Sequence, residues 1–129
     1  MVFLDLDHFK SVNDTYGHLT GSRLLKEVGA LFKKVIRVVD HAARYGGDEF
    51  VFLLPSTSKQ GAVAMAKNLL NVLRNTEFKS DCGKSLQVTA SLGVATYPTN
   101  AYCIQELIKL ADEAMYEVKR GSRNNVISA

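Results

Sequence analysis

Apolar positions follow two rhythms along this chain. Within Leu19–Val39, Leu24, Leu25, Val28, Leu31, Phe32, Val35 and Ile36 recur at a spacing near 3.6. They form one apolar face opposite Arg23, Lys26, Glu27, Lys33, Lys34 and Arg37, which predicts an amphipathic helix. Similar stripes predict helices over about Ser58–Arg74 and Ile104–Lys119. The other rhythm is that of strands. Met1–Leu4 is a short apolar run, Ala42–Tyr45 and Asp48–Leu54 read as strands, the second carrying Phe50, Val51 and Phe52, and Leu86–Tyr97 reads as a strand stopped by Pro98. Val126-Ile127 closes the series as a short final strand, and Glu77–Ser85 reads as a loose edge hairpin around Asp81-Cys82-Gly83. Between Ala42–Tyr45 and Asp48–Leu54, Gly46-Gly47 is the two-residue loop favoured by type I′ and II′ hairpins. The order strand, helix, hairpin, helix, strand, helix predicts an α+β fold whose helices cover one or both faces of a largely antiparallel sheet.

Composition narrows the classes. A chain of 129 residues with no linker, repeat or low-complexity stretch is expected to fold as one domain, 1–129. Its 16 Lys and Arg against 13 Asp and Glu give a net charge of +3. That balance suits an anionic ligand without choosing between nucleotide and nucleic acid. No basic-aromatic stretch is available to stack bases, so an RNA-binding sheet and a nucleic-acid partner are not expected. No apolar run approaches the ~20 residues of a membrane span, and the start lacks the basic flank of a signal peptide. A cytoplasmic location without membrane contact is the expectation, with Cys82 and Cys103 as free thiols.

Candidate chemistry sits at two strand ends. Asp5-Leu6-Asp7 follows the first apolar run, where carboxylates at a sheet edge bind hard cations. Asp7 is open to a second role, capping a short helix through His8-Phe9-Lys10. In the hairpin, Gly46-Gly47 lets a ligand approach the backbone, and strand alternation predicts that Asp48 and Glu49 point to opposite faces.

Three segments, in order, resemble the motifs of the GGDEF domain of bacterial diguanylate cyclases. They are Asp5 to Gly21, Arg44-Tyr45-Gly46-Gly47-Asp48-Glu49-Phe50, and Leu110 to Lys119 with Arg123-Asn124 after it. The resemblance implies a palm-like sheet related to adenylyl cyclases, with the hairpin at the active site. It implies that two nucleoside triphosphates condense to a cyclic dinucleotide with loss of pyrophosphate. It further implies two Mg²⁺ (or Mn²⁺) ions held by Asp5, Asp48 and the Leu6 carbonyl, with Asp48, Glu49 and Lys10 as catalytic residues, Glu49 open between assisting as base and contacting the ribose and Lys10 contacting phosphate. Phe9, Asn13, Ser22, Gly47, Lys119 and Arg123 match nucleotide-binding positions, and the amides of Asp7 to Lys10 suit an anion cradle for phosphates. Ser122 stands where the family commonly has glycine. Catalysis in the family needs a homodimer, because each subunit holds one triphosphate. Family members usually enter the first strand from a helix opening with an Asp-x-Leu-Thr-Gly-Leu-type motif. That motif and any sensor segment are missing here, so a fragment of a longer protein is expected.

Two positions bear on specificity and control. The family reads guanine with an Asn and an Asp, and here Asn13 matches the first while Ser22 replaces the second. A carboxylate only accepts, whereas a hydroxyl donates or accepts, so ATP becomes admissible beside GTP. That departure resembles the hybrid promiscuous (Hypr) subgroup, which makes 3′,3′-cyclic GMP-AMP alongside cyclic di-GMP; the alternative is an ordinary diguanylate cyclase in which Ser22 is neutral. Arg37-Val38-Val39-Asp40 resembles the family's inhibitory RxxD motif, which binds cyclic dinucleotide product, although the two side chains are also spaced to pair with each other. A catalytically inactive module that holds GTP or cyclic di-GMP is the competing functional class.

Overall fold

Alternation along the first strand, β1 (Val2–Leu6), sets both layers of the core. The computed structural model describes residues 1–129. Val2, Leu4 and Leu6 face one way, into a large cluster with Leu24, Val28, Phe32, Phe52 and Leu69. Phe3 faces the other way, into a smaller cluster with Ala95, Ala111 and Met115. Asp5 therefore points to that second side, and so does Asp7.

The elements follow as α1 (Phe9–Tyr16), α2 (His18–Val35), β2 (His41–Arg44), β3 (Glu49–Leu53), α3 (Lys59–Arg74), β4 (Phe78–Lys79), β5 (Ser85–Leu86), β6 (Ala90–Val94), α4 (Ile104–Arg120) and β7 (Asn125–Ser128). Five strands form one sheet in the order β2-β3-β1-β6-β7, and β4-β5 is a separate hairpin. Only β6 and β7 run parallel. Helices α2 and α3 cover the large-cluster face, where the Phe32 ring meets Phe50 and Phe52 edge-on at 5.4 Å. Helix α4 covers the opposite face, pressed so closely on β6 that a Cβ on Gly93 would lie 2.1 Å from the Ala111 carbonyl oxygen. The α+β class and the largely antiparallel sheet are as expected.

Several boundaries move. The first long helix ends at Val35, because Ile36 turns to extended backbone and leaves Val38 and Val39 exposed. The short helix expected at His8-Phe9-Lys10 continues to Tyr16, and Gly17, at φ 91°, joins it to α2. The expected strand over Leu86–Tyr97 shrinks to Ala90–Val94. Leu86 joins the β4-β5 hairpin, and beyond Ala95 the chain enters a turn closed by paired hydrogen bonds between Thr96 and Asn100. Cys82 and Cys103 are free and exposed. No helix is long and apolar enough to cross a membrane.

Candidate active site

The hairpin differs from the expected two-residue turn in a way that matters for chemistry. Neither Gly46 nor Gly47 has positive φ, so the turn is not of type I′ or II′. The Tyr45 amide donates to the Glu49 carbonyl at 2.8 Å, and Asp48 lies in the turn, outside the strand. Strand alternation therefore does not govern Asp48, which corrects the expectation of opposite faces. The Leu6 amide donates to the Asp48 carbonyl at 3.1 Å and docks the turn against the end of β1. Glu49 pairs across the strands with Asp5, so the two share a face of the sheet. A Cβ on Gly46 would lie 2.8 Å from the Glu49 carboxylate, so the glycine leaves room for that acid.

Asp5 is 4 % exposed. Its Oδ2 accepts from Lys119 Nζ at 2.5 Å, and its Oδ1 has no partner. Burial pushes the carboxyl up to about 6; the Lys119 ammonium opposes the rise, and the neighbouring Asp48 carboxylate adds to it. Two neighbouring carboxylates, one of them paired with an ammonium and carrying an unmatched buried oxygen, leave this end of the sheet short of positive charge. No group of three or more His, Cys, Asp or Glu side chains converges anywhere in the chain. This donor set fits Mg²⁺, which takes one or two protein carboxylates and fills its shell with water and substrate phosphate.

Asp7 has a different environment and does not cap α1. Thr89 Oγ1 and Ser91 Oγ each donate to its carboxylate at 2.7 Å, and the Asn124 amide donates at 2.9 Å. Three donors take up most of its acceptor capacity, and the residue preceding α1 is His8, in left-handed conformation and without a side-chain cap. The Asp7 amide donates to the Thr89 carbonyl, which removes it from the proposed anion cradle. Asp7 instead ties the end of β1 to β6 and to the loop before β7. That loop carries Arg123, whose amide donates to the Val118 carbonyl at 2.9 Å while its side chain stays exposed. In place of the family's glycine, Ser122 donates its hydroxyl to the Arg123 carbonyl. Lys10 is exposed on α1 without a partner. The structure thus pairs Asp5 with Lys119, sets Asp48 beside Asp5, and leaves Lys10, Gly47 and Arg123 exposed, the Gly47 carbonyl accepting from Arg44 Nε at 3.0 Å.

The candidate base readers lie between α1 and α2. Asn13 packs so tightly on Gly21 that a Cβ there would sit 1.8 Å from Asn13 Oδ1 and 3.2 Å from the Phe9 ring. Ser22, the next residue, is exposed with an unpaired hydroxyl, beside a cleft of about 720 Å³ between α2 and the edge strand β2. Arg37 and Asp40 adopt the self-paired arrangement. The guanidinium donates to Asp40 at 2.6 to 3.2 Å and also to Thr57 Oγ1 at 2.7 Å, and the Asp40 side chain is fully buried. This pairing holds the Asp40 carboxyl below its usual range.

Sequence reasoning passed over Gly21, Thr89, Ser91 and the Asn124 amide. Ser91 carried a signal, because a serine in the middle of an apolar strand needs a polar partner. Gly21 carried none, since its role depends on a side chain from another helix.

The sequence profile described as "Diguanylate cyclase, GGDEF domain" matches residues 1–125. Diguanylate cyclase A of Treponema denticola is 39 % identical over 126 residues, covering 98 % of this chain and 34 % of that protein. A cyclic di-GMP phosphodiesterase of Pseudomonas aeruginosa, NbdA, is 38 % identical over 125 residues, covering 97 % of this chain and 16 % of its own length. Among solved structures, the GGDEF domain of YfiN (TpbB) from Pseudomonas aeruginosa superposes with a TM-score of 0.93 at 33 % identity, covering 99 % of this chain and 80 % of that one. The GGDEF domain of DgcB from Caulobacter crescentus, solved in complex with c-di-GMP, gives 0.90 at 30 % identity, covering 98 % and 75 %. The chain belongs to the GGDEF domain family of diguanylate cyclases. It spans about a third of the length of curated relatives such as the Treponema cyclase.

Proposed function

We propose that this domain is a dinucleotide cyclase that joins two nucleoside triphosphates, GTP and also ATP, into cyclic di-GMP and 3′,3′-cyclic GMP-AMP with release of pyrophosphate. The observation that carries the proposal is the buried Asp5, one oxygen unpartnered, set against Asp48 at the open end of β1. Asp5, Asp48 and the Leu6 carbonyl would hold magnesium or manganese there, and the bound metal would lower the pKa of an attacking 3′-hydroxyl and offset charge on the α-phosphate. The first-turn amides of α1 face the β- and γ-phosphates, with Lys10 and Arg123 as mobile counter-charges. Glu49 stands on the same sheet face as Asp5, within the site rather than behind it. Asn13 and Ser22 read the base edge, and the rotatable Ser22 hydroxyl accommodates the acceptor at adenine N1 as well as the donor at guanine N1. Each subunit contributes one triphosphate, so two must meet face to face.

The test is product analysis. The domain at high concentration with Mg²⁺ is given GTP, ATP or both, and the products are resolved by mass. Cyclic GMP-AMP from the mixture supports the open base pocket. Cyclic di-GMP alone would return Ser22 to neutrality, and absence of product under dimerising conditions would remove the catalytic reading.

A second reading is favoured by two observations: the likeness to a segment of NbdA, a protein named as a phosphodiesterase, and the Arg37–Asp40 pair. In that reading the domain is a regulatory module that binds GTP or cyclic dinucleotide without turnover. Cyclic dinucleotide then meets the free edge of Arg37, with buried Asp40 holding the guanidinium in place.

A further inference from the structure

Lys119 and a divalent cation compete for the same carboxylate. The ammonium sits 2.5 Å from Asp5 Oδ2, at the end of α4, which is anchored on β6 by backbone contact at Gly93. Asp5 is inaccessible from most directions, and the Lys119 side chain is 30 % exposed. Its flexible four-carbon stem can therefore swing outward while Asp5 cannot move to follow. A cation bound to Oδ1 while the ammonium remains on Oδ2 would stand within a few ångströms of a like charge, in a site where burial weakens screening. A triphosphate arriving at the α1 end changes that balance, because its oxygens offer the ammonium another anionic acceptor. Once the ammonium transfers to phosphate, both Asp5 oxygens are released to the metal.

We propose that Lys119 is a placeholder cation, which keeps Asp5 from binding metal alone and makes metal and triphosphate bind cooperatively by moving from Asp5 to a phosphate. The proposal rests on the reading of Asp5 and Asp48 as metal ligands. It assigns to Lys119 a role that phosphate contact by itself does not include, namely suppression of metal binding in the absence of nucleotide. Linkage makes the coupling reciprocal: metal must raise triphosphate affinity by the factor by which triphosphate raises metal affinity.

The experiment is a Mn²⁺ titration read by the electron paramagnetic resonance of free Mn²⁺, without nucleotide and with the non-cyclising analogue α,β-methylene-GTP, binding with the analogue being the loss of signal beyond that in a protein-free titration of the same analogue. The proteins are the wild-type chain, Lys119→Met, Lys119→Arg, and Asp5→Asn combined with Lys119→Met. Without nucleotide, Lys119→Met is expected to bind Mn²⁺ at least tenfold more tightly than wild type, and Lys119→Arg, which keeps the charge, within about twofold of wild type. Adding Asp5→Asn should abolish the gain and locate it at Asp5. With the analogue present the order should reverse, Lys119→Met becoming the weaker binder by about tenfold, as expected for loss of a charge-assisted phosphate contact. Equal Mn²⁺ affinity of wild type and Lys119→Met without nucleotide would overturn the placeholder role while leaving the metal site in place. A gain that the analogue does not reverse would overturn the transfer to phosphate. Failure of wild type and every variant to bind Mn²⁺ even with the analogue would remove the Asp5–Asp48 metal reading itself. Far-ultraviolet circular dichroism melts confirm that each variant is folded before titration.

Discussion

A carboxylate at the end of a buried strand is stable only when its charge is answered, and at Asp5 the answer is incomplete. Its carboxyl lies at about 6, against 3.8 for an ordinary aspartate, chiefly because of burial. The sign of the linkage follows from proton counts. Between those two values the folded chain keeps a proton that the unfolded chain has lost, so this contribution is greatest below pH 3.8 and falls as pH rises to about 6. The full effect is on the order of a few kcal/mol. Asp5→Asn should therefore remove a downward slope in stability between pH 4 and 6 and leave the domain more stable than wild type at pH 7.5, while cyclase activity is lost. Urea denaturation of both proteins across that range checks it, and a difference curve that is flat would refute it. Gly21 gives a second prediction at this scale. In a helix interior, glycine to alanine ordinarily gains up to about 1 kcal/mol. Here the new methyl would occupy the place of Asn13 Oδ1, so Gly21→Ala should cost about 1 to 3 kcal/mol and weaken GTP binding. In an Asn13→Ala background the same substitution should be neutral or favourable, once the Phe9 ring has given way by a few tenths of an ångström. Additive effects in this double-mutant cycle would show that Gly21 is not there to clear space for Asn13.

At the scale of elements, what the sequence revealed depended on how local the cause was. Helices α2, α3 and α4 were legible because each carries its own apolar stripe, and β1 because its apolar run ends in acids. The hairpin was legible as a hairpin, but its turn was not. Placing Asp48 outside the strand depends on its carbonyl accepting from Leu6, a contact 42 residues away in sequence. The end of α2 was misread because Val38 and Val39 look apolar, yet the Arg37–Asp40–Thr57 hydrogen bonds keep them at the surface. For the same reason Asp7 looked like a cap: its true donors come from β6 and from the segment after α4. Packing of α4 on β6 is the element contact on which the site most depends, since it aims Lys119 at Asp5. Gly93→Ala would drive a methyl into the Ala111 carbonyl and the Met115 amide, at 2.1 and 2.3 Å, and backbone cannot yield as a side chain can. A loss of at least 3 kcal/mol is expected, above the ordinary cost of overpacking. A change below 1 kcal/mol in urea denaturation would mean that α4 rides on the sheet more loosely than this contact implies.

At the scale of the whole molecule, the geometry of the site decides the kinetics. Asp5, Asp48 and Lys119 come together at one end of the sheet, and Lys10, Gly47 and Arg123 are exposed. One such cluster offers two carboxylates and one set of helix amides, enough for a single triphosphate. Forming a cyclic dinucleotide takes two, each presenting its 3′-hydroxyl to the α-phosphate of the other. In the proposed cyclase the second half comes from a second copy, arranged so that the two sites face each other with their triphosphates antiparallel. When monomers predominate, the concentration of paired sites grows as the square of protein concentration, so initial velocity at saturating nucleotide should rise with the second power of dose. Above the dissociation constant it should become linear. Fusing the domain to a strong parallel coiled coil should extend the linear regime to lower dose, because the second association becomes intramolecular at high effective concentration. Initial rates over a thousandfold range of protein concentration, followed by pyrophosphate release, measure the order directly. A velocity linear down to concentrations at which sedimentation shows only monomer would mean that one chain completes the reaction alone, and the half-site reading of this cluster would have to be abandoned.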